Sequence, residues 1–423
     1  MQAFFQKLKL ILTDASILQK LGFMVAGLVV FRFMSTIPLP GIDAARLQAF
    51  FGQSELFGFL NVFSGGGLSN LSIVMLGVAP YITASIIMQL GTVLAPKLKA
   101  LYSEEGEMGR KRFAQYSRTL TIPLAIAQAV GLLLFFQSQG IMSSEGPFLF
   151  AVNVALAVAG SMLIMWIGEL MTEYGIGNGV SLIIFAGIVA SFPSILAQLA
   201  FTFDPSQIPV FIAFVAAALA ITYGVVYISE AERPIPVTYA KRVVGAQVAG
   251  GVQTYLPLRL NQAGVMPIIF ALSILTLPQI LLTYLGQSGT GVLAQIATLL
   301  QTFPGSDILY AVVYFVFVIL FTYFFTAITF DPTQMANNLQ RNGAFVPGVR
   351  PGQTTSEYIG RVITRITLVG AVFLGVVAVL PLVVQNLTGL TALAIGGTSL
   401  LIVVSVVLDI VRKIDAQLSL REY

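Results

Sequence analysis

The sequence predicts an all-α fold, a polytopic membrane protein with ten transmembrane helices, and three observations predict it. Hydrophobic residues make up 57% of the 423 and charged residues 9%, and the mean hydropathy is +0.90, a balance found in membrane proteins rather than soluble globules. Apolar runs of about 20 residues, the length that crosses a bilayer as a helix, recur along the whole chain. Basic residues gather in alternate connections between those runs. Of the 22 Lys and Arg, only Arg32 and Arg46 fall on the side away from the N-terminus, so both termini are expected in the cytoplasm and the number of spans is even.

Taken in order, Met1 to Lys20 mixes Phe4, Phe5, Leu8, Leu10, Ile11 and Leu12 with Lys7, Lys9 and Lys20, the pattern of an amphipathic helix on a membrane face. No small-residue cleavage site follows its apolar run, which argues against a signal peptide. The spans are expected at Leu21–Ile37, Ser72–Leu94, Thr119–Gln137, Phe150–Leu170, Val180–Phe201, Ile208–Ile228, Gly264–Leu285, Ile308–Phe330, Val362–Val384 and Thr391–Val411. The short outer link Thr202–Gln207 divides them into halves, residues 1–201 and 202–423. Two halves with five spans each must face opposite ways, the geometry of an inverted repeat with a site between them. Two cytoplasmic connections are long, Ser229–Ala263 and Asp331–Arg361, and both carry basic residues and turn formers; they are expected to be ordered docking surfaces. Arg32 lies within about 8 Å of the outer end of its span. Snorkelling accounts for it, and it receives no transport role. Glu169 and Glu173 fall at the cytoplasmic end of the fourth span, where solvent is near.

The rest of the chain is organised around Asn61–Leu90. Its first part, Asn61–Leu71, is glycine-broken and too short to cross a bilayer, yet it runs directly into a charge-free run that can cross. Short or irregular segments persist at membrane depth only inside protein or along a watery cavity. The stretch therefore points to a cavity open to one side of the membrane, with a small movable piece inside it. Gly65, Gly66 and Gly67 permit close packing and large dihedral change there, and Ser64, Leu68 and Leu71 offer small or apolar contacts that would seat the piece without strong polar bonds.

Several classes of function are excluded or disfavoured. Cys and His are both absent, which removes disulfides, thiolate nucleophiles, and the commonest general base and metal ligand. No P-loop motif is present, so the chain cannot hydrolyse ATP that way. No carboxylate pair lies at mid-depth for an intramembrane enzyme. A secondary transporter with inverted five-span repeats expects ionisable groups near the midplane, and the centres of the runs are nearly free of charge. No enzymatic activity, metal or cofactor is expected.

Several segments match one family in order along nearly the whole chain. They are Pro38-Leu-Pro-Gly-Ile-Asp43, Phe63-Ser-Gly-Gly-Gly-Leu68, Pro80-Tyr-Ile-Thr-Ala-Ser-Ile-Ile-Met-Gln89 and Glu104–Arg112, followed by Trp166-Ile-Gly-Glu169 and Gly175-Ile-Gly-Asn-Gly179. Val237-Thr-Tyr-Ala-Lys-Arg242, Ala263-Gly-Val-Met-Pro267, Gly343–Gly352 and Gly396-Gly-Thr-Ser-Leu-Leu-Ile402 continue the series. In these the chain resembles the SecY/Sec61-alpha family of protein-translocation channels. It departs from the family at Arg233-Pro234, where two adjacent Arg are usual.

The resemblance implies a central pore between the halves, with a short plug helix, that passes unfolded preproteins and releases transmembrane segments sideways into lipid. It implies a pore ring of Val78, Ile82, Ile184, Ile188, Ile269 and Ile402. Branched aliphatic side chains in such a ring dewet a narrow neck and bind no particular sequence. From spacing alone the ordinary reading, lipid-facing or interhelical, would prevail; only the match to the family's positions favours the ring. The plug by resemblance is Asn61–Leu71, including Asn61, Phe63, Ser64, Gly65, Gly66, Gly67 and Leu68. The lateral gate lies between spans two and three and spans seven and eight, with Thr83, Gln89 and Asn261 along it; packing alone is the other reading of those three. Leu374 is expected to face lipid. The implied partners are SecE and SecG subunits, a SecA motor ATPase, the ribosome including contact with its RNA, signal-bearing preproteins and membrane lipid. Arg242, Arg259 and Arg350 are the implied docking residues, and the implied location is a bacterial plasma membrane.

Overall fold

The computed structural model describes residues 14–43, 46–47, 64–68, 70–103, 105–142, 146–201, 208–239, 242–244, 247–249, 253–262, 264–275, 307–388 and 391–419. In chain order the helices are α1 Ala15–Met34, α2 Ala79–Leu94, α3 Pro96–Ser103, α4 Gly106–Ser138, α5 Pro147–Tyr174 and α6 Gly179–Phe201. They continue with α7 Ile208–Glu230, α8 Met266–Leu275, α9 Asp307–Thr329, α10 Pro332–Arg341, α11 Gln353–Thr388 and α12 Thr391–Ser419. A helix thus falls on each expected span, with α3 and α10 between spans. Among the described residues five helices are long and apolar enough to cross a membrane alone, and the bent α2–α3 pair is a sixth candidate.

Helix ends differ from expectation for local reasons. α1 begins six residues before Leu21, because Asp14 caps it: its carboxylate accepts from the Ser16 amide at 2.9 Å. It stops at Met34, where the hydroxyls of Ser35 and Thr36 donate back to the carbonyls of Arg32 and Phe33, each at 2.7 Å. Residues 1–13, including most of the expected amphipathic helix, lie outside those described. α4 has 33 residues, about 50 Å of helix, so Arg110, Lys111, Arg112 and Arg118 ride on its continuation beyond the expected span.

The second span differs most. A helix is expected from Ser72, but Ser72–Val78 forms consecutive turns and α2 starts only at Ala79. Gly77 has φ of +53°, a left-handed conformation that interrupts an α-helix. The turns are fixed from outside as well. The Leu39 amide donates to the Leu71 carbonyl at 2.9 Å and the Ile73 amide to the Ile37 carbonyl at 3.0 Å. Ser161 on α5 donates its hydroxyl to the Gly77 carbonyl at 2.8 Å.

Packing groups the described chain into two units, residues 14–209 with 391–419, and residues 210–275 with 307–388. In the first, α2 packs on α4, α4 on α5, α5 on α1 and α6, and α6 on α12. Leu68, Leu71, Met75 and Leu76 enter its core beside Ala125, Ala129, Leu133, Phe136 and Ala157. Gly160 on α5 has no room for a side chain, since a Cβ there would overlap the Ile73 carbonyl.

In the second unit α11 packs on α9 and α10. The long connections, whose secondary structure the sequence left open, contain strands. β1 (Glu232–Tyr239) and β4 (Gln253–Arg259) run antiparallel, and β5 (Ala344–Phe345) from the other connection pairs with β1 through Thr238 and Phe345. β2 (Arg242–Val244) and β3 (Gln247–Ala249) form a separate pair. Ile235 and Leu258 from the first connection share a core with Val346 from the second and with Ile359, Ile363 and Ile366 of α11. Alternation of inward Ile235 and Val237 with exposed neighbours makes β1 a half-buried strand. Leu374 is buried at 1% exposure and does not face lipid. Its neighbours Val372 and Val376 are 40% and 49% exposed, because α11 turns the Leu374 side toward the unit's interior.

Candidate constriction, plug and docking surfaces

Val78 is the N-cap residue of α2, and its carbonyl accepts the Ile82 amide at 3.0 Å. The two therefore stand one turn apart. Ile184 and Ile188 repeat that spacing on α6, and Ile402 lies on α12, which packs on α6. All five are buried, as is Ile269 on α8 of the other unit. None of these side chains can hydrogen-bond, so wherever they meet they exclude water.

The described part of the expected plug, Ser64–Leu68 and Asn70–Leu71, is a series of turns; Asn61 and Phe63 lie outside the described residues, as does any plug helix preceding Ser64. The Leu68 amide donates to the Ser64 hydroxyl at 2.9 Å, and the Gly67 carbonyl accepts from both the amide and the hydroxyl of Ser72, at 2.9 and 3.0 Å. Gly65 and Gly66 have φ of +66° and +85°. Their bareness is needed for space too. A Cβ on Gly65 would overlap the Phe31 ring of α1, one on Gly67 would come within 2.8 Å of the Val74 carbonyl, and one on Gly187 of α6 would overlap Gly65 itself. Gly65 is thus wedged between Phe31 and the stretch of α6 that carries Ile184 and Ile188.

The far end of the segment is held more firmly than small apolar contacts would hold it. Besides the amide bonds to residues 37 and 39, Asn70 donates its side-chain amide to the Ser35 carbonyl at 3.4 Å. Leu71 adopts φ of +40°, a strained conformation that persists only where its surroundings fix it.

Sequence reasoning missed Phe31, Gly160, Ser161 and Gly187. The two glycines carried a readable signal, since Gly inside an apolar helix marks a close backbone approach. Arg32, for which snorkelling alone is expected, has its guanidinium beside the glycine run: a Cβ on Gly66 would be 3.4 Å from Nη1. Glu169 is not simply solvated; its carboxylate holds Arg118 Nε of α4 at 2.6 Å.

The uncharged polar residues of the expected gate fare differently. Thr83 donates to the Ala79 carbonyl of its own helix at 3.0 Å, so its proton is not offered across a seam. Gln89 Oε1 and Asn261 Oδ1 are buried without a hydrogen-bond partner among the described residues.

Among the docking candidates, Arg350 is exposed and tightly framed. Gly348 and Gly352 have φ of +81° and +98° on either side, and the buried Thr355 donates its hydroxyl to the Arg350 carbonyl at 2.8 Å. Arg259 on β4 sits opposite Glu232 on β1 and pairs with it at 3.2 Å. Both are about half exposed, so the pair adds little stability. Arg242 opens β2 opposite Ala249; its side chain is not described. Arg233-Pro234 lies in β1, with Pro234 opposite Pro257.

A sequence model of the family SecY matches residues 72–411. The chain belongs to the SecY family. It is 41% identical to the protein translocase subunit SecY of Mycobacterium tuberculosis, with 96% of each chain covered. It is 42% identical to that of Thermus thermophilus, over 96% of this chain and 93% of the other. Among solved structures it is similar to one described as "The structure of a protein conducting channel" (TM-score 0.67, 19% identity, covering 96% of this chain and 93% of that one). It is also similar to Sec61 in the canine ribosome–channel complex from the endoplasmic reticulum (TM-score 0.62, 18% identity, with the same coverage). Those likenesses, which cover 96% of this chain, show that it shares the fold of these channels.

Proposed function

We propose that this chain forms the protein-conducting channel of a translocase, passing unfolded preproteins across the membrane and releasing transmembrane segments sideways into lipid. The observation that carries the reading is the seat of Gly65, a bare backbone held between Phe31 and Gly187 next to Ile184 and Ile188. A plug seated by shape at Gly65, with its bonds to neighbouring segments confined to the Gly67–Leu71 end, seals a pore and leaves by swinging about that end. In this reading Val78, Ile82, Ile184, Ile188, Ile269 and Ile402 form the ring, and Ser64–Leu71 with Asn61 and Phe63 form the plug. Thr83, Gln89 and Asn261 line the lateral exit. Residues 1–201 and 202–423 are inverted halves. The chain is not itself an enzyme; energy comes from a motor or from chain elongation.

The membrane is the bacterial plasma membrane, with both termini in the cytoplasm, in keeping with the distribution of Lys and Arg. SecE and SecG are its companion subunits. SecA or the ribosome docks on the connections that bear Arg242, Arg259 and Arg350, nucleic-acid contact being limited to ribosomal RNA. The relatives named as translocase subunits support this reading. The test is reconstitution with companion subunits in liposomes. A signal-bearing precursor should become protease-protected when the motor ATPase and ATP are added, and a precursor without its signal should not. Ion-coupled uptake of a small solute, with no precursor transport, would support the secondary-transporter reading instead.

A further inference from the structure

α4 consists of two unlike halves that meet at a proline. Pro123 lies inside the helix. It has no amide proton, so the helical bond to the Thr119 carbonyl is missing. On the turns just before it, three hydroxyls donate back to carbonyls of their own helix: Ser117 to Phe113 at 3.2 Å, Thr119 to Gln115 at 3.0 Å and Thr121 to Ser117 at 2.8 Å. Such back-bonding bends helices, and a proline is where a long helix yields.

The half beyond Pro123 is fixed. Ala125, Ala129, Leu132, Leu133 and Phe136 are buried in the core that holds Leu39, Leu47, Leu71 and Met75. Past its end the Asp43 amide donates to the Ile141 carbonyl at 3.0 Å, and Arg46 Nη1 to the Gly140 carbonyl at 2.9 Å. The half before Pro123 is held more lightly, with Arg110, Lys111, Gln115, Tyr116 and Thr119 exposed. It is tied to α3: the rings of Phe113 and Tyr102 lie 5.1 Å apart, and a Cβ on Gly109 would overlap the Leu101 carbonyl. On one side Arg118 Nε holds Glu169 of α5 at 2.6 Å. On the other, at about 100° per residue around the helix, is an open hollow of about 480 Å³ lined by Met88 of α2, Leu98 of α3, and Tyr116, Thr119, Leu120 and Pro123.

We propose that α4 hinges at Pro123. The half beyond it stays in the core, while Gly106–Ile122 swings with α3 toward α2 and away from α5, closing the hollow. The Arg118–Glu169 pair is the latch of the resting position. With Arg118 half exposed, the pair is weak enough to open and reform. The hinge itself does not rest on the channel reading; that its swing admits a preprotein does.

The chain has no Cys, so spin labels go only where a Cys is introduced. An inner pair, Gln115→Cys with Glu173→Cys, and an outer pair, Ser138→Cys with Phe148→Cys, use exposed positions on α4 and α5. Pulsed electron–electron double resonance on the full chain in nanodiscs, with and without a synthetic signal peptide, reads both distances. The inner pair should show two distances, the longer gaining with the peptide, and the outer pair one. Arg118→Gln should raise the longer-distance fraction about two- to fivefold. Pro123→Ala restores the missing bond. It should leave only the shorter distance and raise the melting temperature, a combination that damage to the fold cannot produce. A single inner distance in the wild type, an inner distribution unchanged by Pro123→Ala, or an outer pair that moves as far as the inner one would overturn the hinge. Two inner distances in a chain that transports no precursor would uphold the hinge and remove the channel reading.

Discussion

Gly187 of α6 packs its bare Cα against the backbone of Gly65, so closely that a methyl group on Gly187 would overlap Gly65. The neighbour is backbone, which has no rotamer by which to yield. Gly187→Ala should therefore push the plug from its seat. Overpacking costs about 1–3 kcal/mol, enough to raise the unseated population roughly 5- to 150-fold. Ion conductance in planar bilayers at matched channel numbers should rise, and precursors with weak signals should be accepted. A tight Gly187→Ala channel would show that the plug is not held at this contact.

Ile402→Asn places an amide among buried aliphatic neighbours. Asparagine donates and accepts, so it can hold water in a neck that otherwise dewets. Conductance should rise, while Val376→Asn on the exposed face of α11 should leave the leak unchanged. Leu374 is unsuitable as that control because it is buried. The same conductance from both variants would remove Ile402 from the ring.

Asn261 Oδ1 is buried and has no hydrogen-bond partner among the described residues, and an unsatisfied buried acceptor costs about 1–3 kcal/mol. Asn261→Leu should remove that cost, raise thermal stability and make the channel demand stronger signals. A looser signal requirement would reverse the sign assigned to this residue.

Arg350→Glu should cripple motor- or ribosome-driven translocation with little change in melting temperature, since the side chain is exposed. Thr355→Val should have a smaller effect of the same kind, because it releases the carbonyl that fixes the Arg350 backbone. Normal translocation by Arg350→Glu would dismiss the docking role.

Sequence by itself determined where the apolar helices lie and which connections are basic. Hydropathy and positive charge act on each segment against the bilayer, so a one-dimensional reading suffices. It also marked the glycine run at 65–67 as a place of close approach. Tertiary structure alone decided that α2 begins at Ala79, that Phe31 and Gly187 clasp Gly65, that Leu374 points inward, and that β5 joins β1 from a connection about a hundred residues away. The physical reason is common to all four. Lipid tails are as apolar as a leucine side chain, so a helix face that meets lipid and one that meets another helix have the same composition. Only the fitted shapes of the neighbours tell them apart. Strand pairing across distant loops depends likewise on which backbones the helices bring together.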